Sequence, residues 1–384
     1  MKEMKFPNYR VFNYTLAGRP LVVETGKLAG LANGSALVRY GDTAVLCCAT
    51  ASEKPRDGID FLPLSVDFEE RLYAAGKIPG GYLKREGKPS EKAILASRVI
   101  DRPIRPLFPK DLRNDVNLSL TVLSVDPDCS PEITAMIGAS IALSISDIPW
   151  NGPIAGVFVG LVDGKFVINP TEAERAASDL ELTVAGSKKK VVMIEAGARE
   201  VDDETMYNAI MKAHAEIRDL VDFINAIVDE IGKPKFEYPS CELDHDMFDK
   251  VFAFCEKDLM FALDTDDKNI RDARMQPIQD AIVEKFSEEY PDIEAILPEL
   301  MYKLQKKIVR RWLLVDKKRV DGRALDEIRP LAAEVGLLKR VHGSGLFTRG
   351  QTQVLTIATL GTLGESQELD GIDSETSKRY MHHY

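Results

Sequence analysis

Residues 33–50 read NGSALVRYGDTAVLCCAT and residues 342–359 read HGSGLFTRGQTQVLTIAT. Nine of the eighteen positions are identical without a gap. Upstream, Leu21, Glu24 and Gly26 match Leu331, Glu334 and Gly336 once one residue is inserted. The offset of about 309 residues is far beyond the periods of solenoid repeats, so the pattern is a duplicated domain. Each copy has the grammar of a hairpin. A strand-like run enters Gly41-Asp42-Thr43 or Gly350-Gln351-Thr352, and a β-rich apolar run follows. After the first copy come about 180 residues of alternating strand and helix patterns; after Thr359 only 25 residues follow, ending in KRYMHHY. A half-sheet with open edges is not a stable unit. The expectation is therefore a fragment that stops within its second copy.

Between the copies the pattern predicts mixed α and β structure. Antiparallel strands are expected over 9–70, then a helix from Pro89-Ser90 to about Arg102, halted by Pro103. A strand is expected at 116–126, an apolar helix at 131–146, and a hairpin at 154–170 turning on Asp163-Gly164. Two more strands fall in 180–197, and apolar residues three and four apart give a long helix over 202–231. Gly232–Pro239 reads as a linker and hinge. Helical stretches near 245–263, 266–289 and 292–314 form an all-helical domain, and DKKRVDGR (316–323) enters the second copy. The fold class is α+β, with domains 1–232, 240–314 and an incomplete 316–384.

The chain has 384 residues, 45% of them hydrophobic and 29% charged, which excludes global disorder. No run of 18 apolar residues offers a membrane span. The start, MKEMKFPNYRVF, has neither the apolar core nor the cleavage site of a secretory signal. Five cysteines (47, 48, 129, 241, 255) form no C-x-x-C, which argues against a disulfide framework or zinc site and for a reducing cytoplasm. Net charge is −11, yet Arg71–Arg113 holds eleven cations against four acids. That window is +7 inside a remainder of −18. Such a segment is either a solvated face or the footprint of a polyanion.

Two groups in the window stand out. Arg98, Arg102 and Arg105 are four and seven residues apart, on one helical face. Arg is the preferred fork for phosphate oxygens, while a salt-bridge network involving Asp101 would use the same spacing. In KIPGGYLKREGKPSE (77–91), Tyr82, Lys84 and Arg85 put an aromatic beside two cations, the minimal set for stacking and phosphate contact on single-stranded nucleic acid. The loop is no P-loop: five residues separate Gly81 from Gly87, and Pro89 follows Lys88. The acidic turn Asp264–Asn269 lacks the glycine and distal Glu of a calcium loop. His214 has no partner ligand four residues on, so a structural role is expected. His382 and His383 close the chain, and no Ser-His-Asp or Cys-His order is visible.

Taken together, FEERLYAAGKIPGGYLKREGKPSEKAILASRVIDRPIRPLFP (68–109), MIGASIALSIS (136–146), RVDGR (319–323) and HGSGLFTRGQTQVL (342–355) closely resemble the bacterial polynucleotide phosphorylase family. The resemblance covers essentially the whole chain. It implies two RNase PH-like domains, of ribosomal-protein-type βαβ construction, flanking a helical domain, with KH and OB-fold modules beyond them. It also implies a homotrimeric ring and a cytoplasmic, magnesium-dependent 3′-to-5′ exoribonuclease that uses inorganic phosphate to release nucleoside diphosphates from single-stranded RNA. The family's phosphate and metal residues belong to the later second domain, so catalytic and metal residues are expected beyond Tyr384 and none is assigned here. This chain alone is expected to be inactive. Arg98, Arg102 and Arg105 match family arginines near the RNA 3′ end. Tyr82-Leu83-Lys84-Arg85 matches a channel-narrowing loop that is often Phe-Phe-Arg-Arg, so one stacking platform is missing. The alternatives are a non-catalytic RNA-binding ring subunit and a pure assembly module that binds protein.

Overall fold

The computed structural model describes residues 6–56, 58–240, 242–374 and 376–384. Cys241 and the first five residues of the N-terminal stretch lie outside them. The chain divides into two compact units, Met1–Ser240 with Ser366–Tyr384, and Cys241–Glu365.

The first unit is built on a six-stranded sheet. Strands β1 (Arg10–Leu16), β2 (Arg19–Thr25), β3 (Gly34–Tyr40) and β4 (Thr43–Ala51) form an antiparallel meander, followed by β5 (Leu64–Glu70). Helix α1 (Glu91–Ile104) crosses over to β6 (Val116–Ser124), and the spatial order is β1-β2-β3-β4-β6-β5. β5 pairs with β6 in parallel, which corrects the all-antiparallel expectation. A helical crossover is how the chain returns to run alongside a strand in the same direction.

Helix α2 (Pro131–Ile145) has no charged residue after Glu132, and 14 of its residues are buried. It packs on β3 and β4 on one side and on β7 (Ala155–Val162) on the other. At Gly138 a Cβ would lie 2.3 Å from Cys47 Sγ, so glycine permits the close approach of α2 to β4. β7 pairs with β8 (Lys165–Ile168) across Asp163-Gly164, both at positive φ. After a short α3 (Glu172–Ala177), β9 (Leu180–Gly186) and β10 (Val191–Ala198) complete a sheet of order β10-β9-β7-β8, covered by α4 (Asp203–Ile231).

Helix α1 begins as expected: Ser90 Oγ accepts the Ala93 N–H at 2.9 Å. It does not stop at Arg102 but runs through Pro103 to Ile104 and tightens into a 3-10 turn over Arg105–Leu107. Ile100 and Ile104 are fully buried, and the Trp150 indole N–H donates to the Ile104 carbonyl at 3.0 Å. Core packing holds the turn against the preference of the residue before proline. The expected hinge is also fastened. Lys233 and Phe236 N–H groups donate to Ile145 and Asp147 carbonyls. Lys235 Nζ reaches the carbonyls of Leu143, Ser144 and Ser146 at 3.1, 3.0 and 2.6 Å, capping α2.

In the second unit, α5 (His245–Leu263), α6 (Lys268–Phe286) and α7 (Ile293–Arg311) pack around Val251, Leu259, Ile282, Leu300 and Leu304. Asp267, in the acidic turn, caps α6 by accepting the Asn269 and Ile270 N–H groups. Beyond them lie β11 (Leu331–Val335), β12 (Gly343–Arg349) and β13 (Thr352–Ala358). The repeat is physical. Leu21 faces Tyr40 as Leu331 faces Arg349, and Gly34 faces Ala49 as Gly343 faces Ala358, so both copies keep one register. Gly26 and Gly336 have φ of 77° and 75°, and Gly41 and Gly350 have φ of 55° and 60°, the left-handed turns that glycine allows. In the later copy β11 and β13 are exposed along their length. Two short strands, β14 (Gln367–Glu368) and β15 (Ser377–Lys378), return to the first unit. Among the described residues no helix is long and apolar enough to cross a membrane.

Candidate nucleic-acid interface

The loop that joins β5 to α1 carries the first group of expected contacts. Its tip is a tight turn, with the Lys84 N–H donating to the Gly81 carbonyl at 3.0 Å and Lys84 itself at φ 49°. This turn pushes Tyr82 and Leu83 outward, 99% and 82% exposed. Lys84 Nζ folds back onto the Gly80 carbonyl at 3.3 Å. Arg85 is exposed and has no partner among the described residues. An aromatic face and a free guanidinium thus stand three residues apart in open solvent.

Behind the tip, Arg85, Lys88, Glu70, Ser90 and Asp370 line a cleft of about 280 Å³. The Glu70 carboxyl takes a hydrogen bond from the Ser90 hydroxyl at 2.7 Å, while its other oxygen has no donor among the described residues. Burial pushes this carboxyl above its ordinary value, against the pull of Ser90. Beside it, burial acts to lower the Lys92 ammonium. Glu132 and Asp373, at 3.4 and 2.6 Å, outweigh that and leave it above the ordinary lysine range.

The three arginines of α1 have different surroundings. Arg98 is exposed without a partner among the described residues. Arg102 is ion-paired with Glu195 on β10. Arg105 is committed to the fold, forking onto Asp101 and donating to the Leu64 carbonyl at 3.0 Å. His214 Nε2 contacts the Ser187 carbonyl at 3.1 Å, a structural hydrogen bond. His382 and His383 lie in exposed chain without regular structure.

A second basic run lies on α7. From Leu300 to Val315 there are five cations (Lys303, Lys306, Lys307, Arg310, Arg311) and no acid. Acids on neighbouring turns and helices hold three of them: Lys303 with Glu299, Lys307 with Asp249 and Arg311 with Glu256. Lys306 instead sits 5.4 Å from the ring centre of Tyr302, itself 62% exposed, and Arg310 is exposed without a partner among the described residues. Tyr302, Lys306 and Arg310 recur every four residues and share one face of the helix. Net charge taken over this stretch would have found it as it found the Arg71–Arg113 window. Part of its basicity suits a helix C-terminus.

Residues 17–149 match the 3′ exoribonuclease family, domain 1, and residues 152–216 match domain 2 of that family. Residues 246–324 match the polyribonucleotide nucleotidyltransferase RNA binding domain. The chain is 61% identical over 376 residues to the polyribonucleotide nucleotidyltransferase of Ruminiclostridium cellulolyticum, covering 98% of this chain and 54% of the relative. It is 56% identical over 378 residues to that of Lachnoclostridium phytofermentans, with the same coverage. Against the Bacillus pumilus protein of that name it is 56% identical over 376 residues, covering 97% of this chain and 53% of the relative. The chain therefore spans about half the length of the curated relatives it matches.

Proposed function

The chain belongs to the polyribonucleotide nucleotidyltransferase family, and from that premise we propose that it is the RNA-guiding part of a phosphorolytic 3′-to-5′ exoribonuclease. In that reaction an oxygen of inorganic phosphate attacks the phosphorus of the terminal linkage. The bond to the 3′ oxygen of the preceding nucleotide breaks, that oxygen takes up a proton, and a nucleoside diphosphate leaves. Such chemistry needs in-line positioning and charge neutralisation rather than a protein nucleophile. This chain's share is the strand path: Tyr82 stacks on a base, Arg85 and Arg98 meet phosphates, Lys84 adds charge at the loop tip, and Arg102 exchanges Glu195 for a phosphate. Arg105 supports the helix that presents the others. Tyr302, Lys306 and Arg310 offer the helical unit a second strip of the same chemistry. The observation that carries the reading is the exposed Tyr82 beside Arg85, which has no partner among the described residues, in a strongly basic window of an acidic first domain.

The domain division we propose is 1–232, 240–314 and 316–384, because the two ends of the chain share one strand register. A homotrimer in the cytoplasm is part of the same proposal, as are inorganic phosphate and nucleoside diphosphates as reactant and product. The family reaction also implies magnesium. Among the described residues no group of three or more His, Cys, Asp or Glu side chains could hold a metal ion. No residue of this chain is assigned to the ion, and no step is derived through it.

The reaction class is tested on the complete enzyme with polyadenylate and radiolabelled phosphate. Label in adenosine diphosphate supports it, and unlabelled monophosphate formed by water overturns it. The 384-residue chain is tested by titration with single-stranded oligoadenylate across a salt series. Salt-dependent binding supports the RNA-guiding role. Absence of binding leaves the assembly reading.

A further inference from the structure

The loop that presents Tyr82 and Arg85 has little to hold it. Among the described residues, the Lys84 N–H and ammonium donate to the Gly81 and Gly80 carbonyls within the loop, the Lys77 N–H donates to the Leu72 carbonyl at 3.0 Å, and the Glu86 carboxylate accepts the Leu72 N–H at 3.3 Å. Its other anchors come from a segment about 290 residues later in the chain. The Asp370 carboxylate accepts the Gly80 N–H at 2.7 Å. Lys77 Nζ donates to the carbonyls of Gly371 and Asp373 at 2.7 and 3.1 Å. Lys92, in the first turn of α1, pairs with the Asp373 carboxylate at 2.6 Å. Between these polar contacts Ile372 is 5% exposed and joins the core that contains Phe68, Leu72 and Ala93. An apolar side chain seated in a core fixes where its flanking polar groups can reach. The segment thus grips both the entry of the loop, at Lys77 and Gly80, and its exit, at Lys92.

We infer that Asp370–Asp373 is a clamp that positions the Tyr82–Arg85 loop for single-stranded RNA, with Asp370 as its positioning residue. This rests on the RNA-guiding role proposed above. The geometry separates Asp370 from an ordinary surface acid. A carboxylate lining the same cleft as Arg85 and Lys88 repels RNA, so a purely electrostatic role predicts tighter binding when the charge is removed. A positioning role predicts the opposite, because a loop released from its anchor must be ordered again when RNA binds. Asp370→Asn removes the charge but keeps a side-chain carbonyl to accept the Gly80 N–H, whereas Asp370→Ala removes both.

The experiment uses the 384-residue chain and its Asp370→Ala, Asp370→Asn and Ile372→Ala variants. Hydrogen exchange of a peptide covering residues 77–88 is followed without RNA, and oligoadenylate affinity is measured at fixed salt. Under the clamp, Asp370→Ala and Ile372→Ala speed exchange of that peptide by roughly tenfold, the cost of one lost charge-assisted hydrogen bond. They weaken RNA binding by roughly fivefold. Asp370→Asn keeps the unmodified exchange and binds RNA at least as tightly as the unmodified chain. Unchanged exchange in Asp370→Ala overturns the clamp, as does equal tightening by both Asp370 variants. Should the unmodified chain bind no oligoadenylate, the RNA-guiding role fails, while the exchange arm still decides whether the clamp exists.

Discussion

The Arg105 guanidinium forks onto the Asp101 carboxylate, Nε and Nη2 donating to its two oxygens at 3.0 and 2.8 Å. Two turns earlier on the same face Arg98 has no partner among the described residues. Identical side chains in one run therefore do different work. Arg105→Ala leaves Asp101 half-buried without its fork and removes a donor from the Leu64 carbonyl. It is expected to cost about 1–2 kcal/mol of stability with little change in the salt dependence of RNA binding. Arg98→Ala is expected to leave the melting temperature in place and to reduce the salt slope by about 0.7, the value of one phosphate contact on a single strand. Calorimetry and salt titration of both variants check the division.

Tyr82 is free of the fold, so its removal reads binding alone. Tyr82→Ala is expected to weaken oligoadenylate binding by about 1–3 kcal/mol, the range for one lost stacking platform, with no shift in melting temperature. Leu83 is also exposed and offers no π-face. Leu83→Phe restores the second platform and is expected to tighten binding, by about 1 kcal/mol at the lower end of that range. Tyr82→Ala binding as tightly as the unmodified chain would remove the loop from the RNA path.

The duplication was legible because its signals are local. Glycines at positive φ and the alternating residues around them specify hairpin and register wherever they occur, as Gly41 and Gly350 do. Helix ends were legible at Ser90, where a cap is a local bond, and not at Pro103, where buried Ile100 and Ile104 override a local preference. Parallel pairing of β5 with β6 was hidden because it is decided by the crossover between them. The fastening of Lys235 to the end of α2, and of Asp370 to Gly80, had no sequence signal at all: each joins segments about 90 to 290 residues apart through groups that look like ordinary surface charges. Arg98, Arg102 and Arg105 were legible as a helical row, but which of them is free was decided by Asp101, Leu64 and Glu195. The basic run on α7 was legible in composition, but which of its cations are held was decided by Glu299, Asp249 and Glu256.

Lys306 and Arg310 supply the test of that second strip. If RNA reaches the helical unit, Lys306→Ala and Arg310→Ala each lower the salt slope by about 0.7, and they add when combined with Arg98→Ala because each phosphate contact releases its own counterions. Lys307, paired with Asp249 at 3.2 Å, serves as the comparison: Lys307→Ala is expected to change the slope less than Lys306→Ala. Equal effects from Lys306 and Lys307 would mean that the whole helix acts as a diffuse charge and that no ordered strip exists.

Glu70 gives a prediction in pH. Burial lifts its carboxyl above the unfolded value, and its second oxygen has no donor among the described residues to offset this. The folded chain accordingly holds this proton more tightly than the unfolded chain. The favourable contribution is complete below the unfolded pKa, about 4.3, and is lost as pH rises through the higher folded value. At neutral pH the ionised carboxylate is therefore a cost. Glu70→Gln keeps an oxygen for the Ser90 hydroxyl and removes the charge that faces Asp373 and Glu132. It is expected to raise stability at pH 7 by about 1 kcal/mol, the scale of one buried acceptor left without a donor, and the gain should vanish near pH 4. Thermal unfolding of both proteins between pH 4 and pH 8 decides the matter. A difference that stays constant across that range would assign the effect to packing around Ser90 rather than to the proton.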